Sequence, residues 1–388
     1  MTEIINQNND FFNLKKRIVV KIGTQVLIDD DGKLSSASFR KITEFVDALR
    51  FKKKEVILVS SGAIAAGRNV LNIETSAKFL TIPQKQALAS CGQSLLMKTY
   101  SSHFKKYNIK TAQILLTKDD ISSRKRFTNA RNTIYELLKN NVVPIINEND
   151  TISTEEIKFS DNDYLSALTA NLACADLLII LSNVNGVYDK NPYLNNSANQ
   201  IKIIDNIKNF IDNFKDTSKS IHGTGGMKSK LESAYIASEA GIDTVIASGK
   251  DRKVLKSLSD GKITGTFILS SCEEISKKKH WLIFGMEKNG LLVCDKGAIE
   301  AITINNKSLL ASGIIDVKGN FKKHNGIYIA NEQNKIVAAG ISNFDAEEIE
   351  KIKGLKSSEI QVILNSMRTN IHTKGIGIAV HKNNMVLL

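Results

Sequence analysis

Lys21 is the first residue in this chain whose position invites a chemical explanation. It lies within an apolar run, Ile18–Ile22, directly before Gly23. A charged side chain inside such a run is costly unless it meets a ligand or a partner. A lysine snorkelling from a strand end is the plainer alternative. Ser60-Ser61-Gly62-Ala63-Ile64-Ala65-Ala66-Gly67-Arg68 follows a second apolar run and opens a helical pattern. Backbone N–H groups at a helix start are free to meet an anion. The stretch is not a P-loop, because Arg68-Asn69 stands where Lys-Ser/Thr is required. Its small residues are equally explained by a tight turn that packs helix against strand. Gly223-Thr224-Gly225-Gly226-Met227-Lys228-Ser229-Lys230 is another Gly-rich turn before a helix. There the backbone could approach phosphate closely and Lys230 could reach the same anion; a surface loop is the alternative. Asn147-Glu148-Asn149-Asp150 and Asp161-Asn162-Asp163 are acid–amide clusters. Such clusters can orient lysines, bind an amino group or hold Mg²⁺. For the second cluster, helix capping is the competing explanation.

Two lysines, Gly-rich helix starts and carboxylates together suit phosphoryl transfer, whose catalysis is mostly positioning plus charge stabilisation. At an effective dielectric near 20, one ammonium ~4 Å from an oxyanion contributes roughly 4 kcal/mol before desolvation.

These groups can converge only if one framework presents them at one edge. Short apolar runs at residues 18–22, 56–59, 113–116, 142–146, 177–181 and 244–247 predict strands. Helical spacing is predicted over 36–50, 83–103, 129–139, 164–174 and 227–240, the last stopping at Gly241. The alternation indicates βαβ units, hence an α/β fold with a mostly parallel sheet covered on both faces. Ligands in such folds bind beyond the carboxyl ends of the strands, which points to Gly23-Thr24, Ser60-Ser61-Gly62, Asn147–Asp150 and Ser182–Gly186. The expected domains are 14–270 for this α/β part, 271–282 for a polar linker and 283–380 for a small β-rich barrel. In the barrel, segments 291–294, 298–304, 313–317, 326–329 and 335–341 are separated by Gly and Asn turns. A short helix is predicted over 345–352.

Composition narrows the classes. The chain has 388 residues, 42% hydrophobic and 24% charged, which fits a globular protein. Its net charge of +13 would suggest nucleic acid if concentrated. It is spread instead, +9 over residues 1–270 and +4 over 271–388, as a diffuse lysine excess. No apolar stretch approaches the ~20 residues of a membrane helix. The Asn-rich N-terminus lacks the features of a secretion signal. Cys91, Cys174, Cys272 and Cys294 show no metal or disulfide spacing and suit a reducing cytoplasm.

The blocks VVKIGTQVL (Val19–Leu27), SSGAIAAGR (Ser60–Arg68), VPIINENDTIS (Val143–Ser153), FSDNDYLSALTA (Phe159–Ala170) and GTGGMKSKL (Gly223–Leu231) resemble the glutamate 5-kinase family, of the amino acid kinase fold. The β-rich remainder resembles a PUA domain. The resemblance spans about residues 15–385. It implies ATP- and Mg²⁺-dependent phosphorylation of the γ-carboxylate of L-glutamate, the first step of proline biosynthesis. It implies Lys21 and Lys230 at the phosphates, Asp163 holding those lysines, and Ser61, Asp150 and Asn162 at glutamate. The nucleotide would lie along Ser182, Asn183 and the stretch Thr224, Gly225, Gly226, Met227, Lys228, Ser229 and Lys230, with Gly23 and Gly62 supplying backbone near the reacting ends. It also implies a cytoplasmic homo-oligomer, dimer or tetramer, with proline as a feedback inhibitor. Three positions depart from the family pattern: Ser182-Asn183 replaces Thr-Asp, Gln25 replaces a Ser or Thr, and Lys228-Ser229 replaces a Ser/Thr pair. The competing expectations are another amino acid kinase, such as acetylglutamate kinase or aspartokinase, and an RNA-binding PUA protein. The thin charge and sparse aromatics of residues 271–388 argue against RNA.

Overall fold

The computed structural model describes residues 12, 14–75, 79–153, 161–192, 194–195, 197–214, 226–270, 286, 288–355, 359–360 and 377–388. They belong to two compact units, Met1–Ile275 and Ser276–Leu388.

In the first unit the strands are β1 (Arg17–Ile22), β2 (Glu55–Ser60), β3 (Lys110–Leu116), β4 (Val142–Glu148), β5 (Leu177–Ser182), β6 (Val187–Tyr188), β7 (Gln200–Ile201), β8 (Ile203–Ile204), β9 (Asp243–Ser248) and β10 (Thr266–Ile268). The helices are α1 (Thr24–Leu27), α2 (Ser36–Phe51), α3 (Ala63–Val70), α4 (Ile82–Lys105), α5 (Lys118–Ser122), α6 (Arg124–Lys139), α7 (Asn162–Leu172), α8 (Ile207–Asn213), α9 (Met227–Glu239) and α10 (Arg252–Ser259). The main sheet runs β3-β4-β2-β1-β5-β9-β10-β8. Its pairings are parallel except β10 against β9. β1 and β5 are buried almost end to end, which explains their unbroken Val, Ile and Leu runs: helices cover both faces. β1 has β2 on one side and β5 on the other. The crossover direction therefore reverses at β1, and a ligand crevice opens beyond its carboxyl end. Lys21 is there.

Helix boundaries follow capping chemistry. Thr81 and Gln84 form a reciprocal capping box at the start of α4, with Pro83 in the first turn. α9 ends as expected beside Gly241, whose φ is +73°. Gly241 N–H donates to the Ser238 carbonyl and Ile242 N–H to the Ala237 carbonyl, the Schellman pattern. α7 stops at Leu172 and not at Cys174, because Cys174 takes a left-handed φ of +50° and fills the same capping role. α6 begins five residues earlier than its apolar spacing predicts, since the first turn, Arg124-Lys125-Arg126, is polar.

The small residues of 60–68 serve helix-to-helix contact more than helix-to-strand contact. A Cβ on Gly67 would lie 1.9 Å from the Leu88 carbonyl oxygen, and one on Gly92 would lie 1.8 Å from the Ala63 carbonyl oxygen. α3 and α4 thus touch backbone to backbone at both glycines.

The second unit contains β11 (Lys288–Cys294), α11 (Lys296–Thr303), β12 (Leu309–Leu310), β13 (Ile314–Lys318), β14 (Gly326–Ala330), β15 (Ile336–Ile341), α12 (Ala346–Ile352), β16 (Ile378–Val380) and β17 (Met385–Leu387). Its five-stranded sheet runs β13-β11-β14-β15-β17, and β12 pairs with β16. Of residues 298–304, expected among the barrel segments, 298–303 belong instead to helix α11 and Ile304 is its C-cap. Asp295 caps it by accepting from Ala298 N–H at 2.6 Å, and Ala298, Ile299 and Ile302 turn one face to the core. Phe321 and Phe344 are core residues of this unit, at 1% and 8% exposure, so neither offers a face for base stacking. Trp281 and Phe284 lie outside the described residues.

Gly92→Ala tests the α3–α4 contact. Its methyl group has no room, so the variant should lose about 1–3 kcal/mol of stability. A thermal melt equal to that of the parent would contradict the close approach.

Candidate functional site

Three buried charges meet beyond the carboxyl end of β1. Lys21 Nζ lies 2.5 Å from Asp163 Oδ1, and Lys230 Nζ lies 3.0 Å from Asp163 Oδ2. Asp163 is wholly buried, and Lys21 and Lys230 are only 6% and 7% exposed. They come from three elements: Lys21 from β1, Asp163 from the first turn of α7 and Lys230 from the first turn of α9. Burial works to raise the Asp163 pKa, but the charges of Lys21 and then Lys230 outweigh it and hold the carboxyl below its usual range. Two ammonium groups share this one carboxylate. Holding charge in a desolvated place is costly, and an incoming anion beside the two lysines would lower that cost.

The next shell explains how the helices are held. Asp161 caps α7 by accepting from Asp163 N–H at 2.8 Å and Tyr164 N–H at 3.0 Å. Its other oxygen accepts from Ser229 Oγ, which ties the start of α7 to the start of α9. Capping of α7 and the joining of the two helix starts are therefore one arrangement. Gly23 lies close to Lys21: a Cβ there would be 3.7 Å from Nζ.

A polar chain runs beside this triad. Asn162 Nδ2 donates to Ser61 Oγ at 2.9 Å, to the Ser60 carbonyl at 3.2 Å and to Asn147 Oδ1 at 3.0 Å. Asn147 Nδ2 donates in turn to Gln93 Oε1 at 2.9 Å. Gly62 makes the turn into α3 with φ +106°, a left-handed conformation suited to glycine. Behind the turn, Ser60 Oγ and the Tyr100 hydroxyl lie 2.8 Å apart. Burial pushes the Tyr100 phenol well above its ordinary pKa, so it stays a neutral partner. Asp150 lines a cavity of about 220 Å³ together with Glu148, Gln93, Ser90, Ser94 and Gln113. That is below the ~300–1,000 Å³ typical of drug-sized ligands and suits a small polar metabolite.

Of the residues singled out from sequence, Lys21, Asp163 and Lys230 are in direct contact, and so are Ser61 and Asn162. Asp150 lies at the end of the neighbouring β4. Ser182, at the end of β5, receives Gly249 N–H on its carbonyl at 2.8 Å and donates from Oγ to Asn183 Oδ1 at 3.2 Å. Gly226 caps α9, and its carbonyl accepts from Lys230 Nζ at 3.5 Å. Met227, Lys228 and Ser229 make up the rest of the first turn of α9. Lys228 turns to solvent and lies 3.9 Å from Glu232. Thr224 and Gly225 lie outside the described residues. Sequence reasoning passed over Gln93, Ser90, Ser94 and Gln113. The first three are spaced as a polar stripe on α4, and Gln113 is a polar residue in an apolar strand; both patterns were available as signals.

Asp163→Asn should remove the carboxylate that two buried ammonium groups share and cost about 3–5 kcal/mol. Asp163 has a depressed pKa in the fold, so its contribution is present above the unfolded value of ~3.9 and fades as pH falls through the folded one. The melting difference between parent and variant should therefore be full near neutrality and shrink on acidification below about pH 4. A difference that grew with acid would contradict this.

The model of the amino acid kinase family matches residues 16–248, and that of the PUA domain matches residues 290–364. The glutamate 5-kinase of Syntrophotalea carbinolica is 43% identical over 92% of this chain and 94% of its own length. That of Thermoanaerobacter sp. is 40% identical over 96% of this chain and 98% of its own length. That of Caldanaerobacter subterraneus subsp. tengcongensis is 41% identical with the same coverage, 96% and 98%.

Proposed function

The chain belongs to the amino acid kinase family, and we propose that it transfers the γ-phosphoryl group of ATP to the γ-carboxylate of L-glutamate, giving L-glutamyl 5-phosphate for proline biosynthesis. The observation that carries this reading is the buried Lys21–Asp163–Lys230 triad, in which one carboxylate gathers two ammonium groups. The near full-length similarity to glutamate 5-kinases supports the choice of acceptor.

The chemistry fits the charge. A glutamate side chain is ionised at neutral pH, so the nucleophile needs no base. The difficulty is bringing one anion against another. Lys21 and Lys230 lower that repulsion and stabilise the charge spread over the transferring phosphoryl group. Asp163 keeps both ammonium groups aimed at one place. The carboxylate oxygen attacks phosphorus, the bond to the bridging oxygen of ADP breaks, and ADP leaves. Asp150 holds the α-ammonium of glutamate, and Ser61 and Asn162 orient the acceptor. The nucleotide lies along Ser182-Asn183 and the turn into α9.

Mg²⁺ belongs to the same reading. Both oxygens of Asp163 face lysines, and no group of three or more His, Cys, Asp or Glu suited to a metal occurs among the described residues. Such a site fits an ion held mainly by the phosphates of ATP and by water, the usual habit of Mg²⁺. Its contribution would be to neutralise phosphate charge. Among the described residues no helix is long and apolar enough to cross a membrane, and we place the enzyme in the cytoplasm. Assembly as a dimer or tetramer and inhibition by proline complete the proposal.

The test is glutamate-dependent release of ADP from ATP, with and without proline, and with acetylglutamate and aspartate as rival acceptors. A preference for acetylglutamate would overturn the proposal. Lys230→Ala should lower kcat at least ~10²-fold, as expected for a group acting on the transition state. Asp150→Ala should mainly raise the KM for glutamate. Full kcat in the lysine variant would refute its role.

A further inference from the structure

We propose that Gln93 binds the α-carboxylate of the acceptor amino acid through its side-chain NH₂ group, as a specificity-determining residue of the reaction proposed above, on which this inference rests. The geometry begins with two backbone groups whose polarity is unambiguous. Glu148 N–H donates to one atom of the Asn147 amide at 2.9 Å, so that atom must be oxygen. The Ser60 carbonyl lies 3.2 Å from one atom of the Asn162 amide, so that atom must be nitrogen. The two assignments agree where the side chains meet, with Asn162 Nδ2 donating to Asn147 Oδ1 at 3.0 Å. The remaining nitrogen of Asn147 then has to donate, and the Gln93 atom that receives it at 2.9 Å has to be Oε1. Side-chain amide orientations are usually a matter of choice. Here a backbone donor at one point and a backbone acceptor at another leave none.

The consequence falls on the cavity of about 220 Å³, which Gln93 lines. Its oxygen accepts from Asn147, which fixes the other end of the amide as Nε2, a pure donor. The two sides of the cavity differ in character. The chain at and just beyond the end of β4 supplies the two acidic residues of the lining, Glu148 and Asp150, along with Asn149 and Thr151, whereas α4 supplies the uncharged Ser90, Gln93 and Ser94. A zwitterionic amino acid matches that division, its ammonium toward Asp150 and its carboxylate toward α4. Gln113 also lines the cavity, but no comparable chain fixes its amide. Gln93 therefore reads the carboxylate while holding Asn147, and through it Asn162, in register.

Gln93→Glu isolates the first role. The variant keeps an oxygen for Asn147 and replaces the donor by a charged acceptor. Activity is measured with L-glutamate and with L-isoglutamine, which has a free γ-carboxylate but an α-carboxamide. The expected result is a KM for L-glutamate raised at least about tenfold, the size of one lost charge-assisted hydrogen bond, with the KM for ATP and the melting temperature little changed. The ratio of kcat/KM for L-glutamate over L-isoglutamine should fall by a similar factor, and this ratio does not depend on how much protein is folded. An unchanged ratio in an otherwise active enzyme would overturn the assignment of Gln93 alone. A parent enzyme with no activity on L-glutamate would overturn the acceptor proposed above and this inference with it.

Discussion

One carboxylate holding two ammonium groups out of water is the constraint to which the larger unit is built. Asp163 cannot be moved by much: each of its oxygens faces a lysine from a different element. Removing three charges from solvent costs more than their pairing returns unless the geometry is well satisfied. The surroundings supply that geometry. Lys21 is fixed by a strand paired on both sides. α7 is buried along nearly its whole length. Asp161 links the starts of α7 and α9 through Ser229. Two ammonium groups gathered on one carboxylate in a buried crevice are the feature that suits the site to the phosphoryl transfer proposed.

The side proposed for the acceptor rests on a second, neutral device. The turn Ser60–Gly62 is anchored below by Tyr100 and sideways by Asn162. The contact of α3 with α4 brings α4 close enough for Gln93 to join the same chain. The glycines at 67 and 92 therefore act on the site without touching it: they set how near the donors of α4 lie to the carboxylates of β4. Fixed dipoles placed before the substrate arrives are the kind of preorganisation that electrostatic catalysis relies on.

Much of this was legible in the residues. The buried strands announced themselves as apolar runs, and a lysine inside one of them was conspicuous because burial makes charge costly. The alternation of strands and helices predicted the parallel sheet and so the edge at which to look. Other features depended on tertiary contact that periodicity does not carry. Residues 298–304 were grouped with short barrel segments, but Asp295 caps them as a helix. The small residues after Ser60 suited packing on a strand as well as packing on a helix; only the position of α4 decides. Gln93 was overlooked because a polar residue on a long helix is usually solvated, and its role appears only when Asn147 comes from a strand 54 residues away in sequence. The diffuse positive charge of the chain meant little in total and a great deal at two positions.

The central claim is that the triad exists for the reaction and not for the fold. Replacing all three members together by apolar residues of similar size, Lys21→Met, Asp163→Leu and Lys230→Met, separates the two. Apolar replacement of a buried ion triad is often neutral or stabilising. The melting temperature of the triple variant should therefore stay near that of the parent or rise. Its glutamate-dependent kcat should fall at least ~10²-fold, and no further than that of the most damaged single variant, because residues acting as a unit are not additive. A triple variant that failed to fold, or one that folded and kept its kcat, would contradict the account.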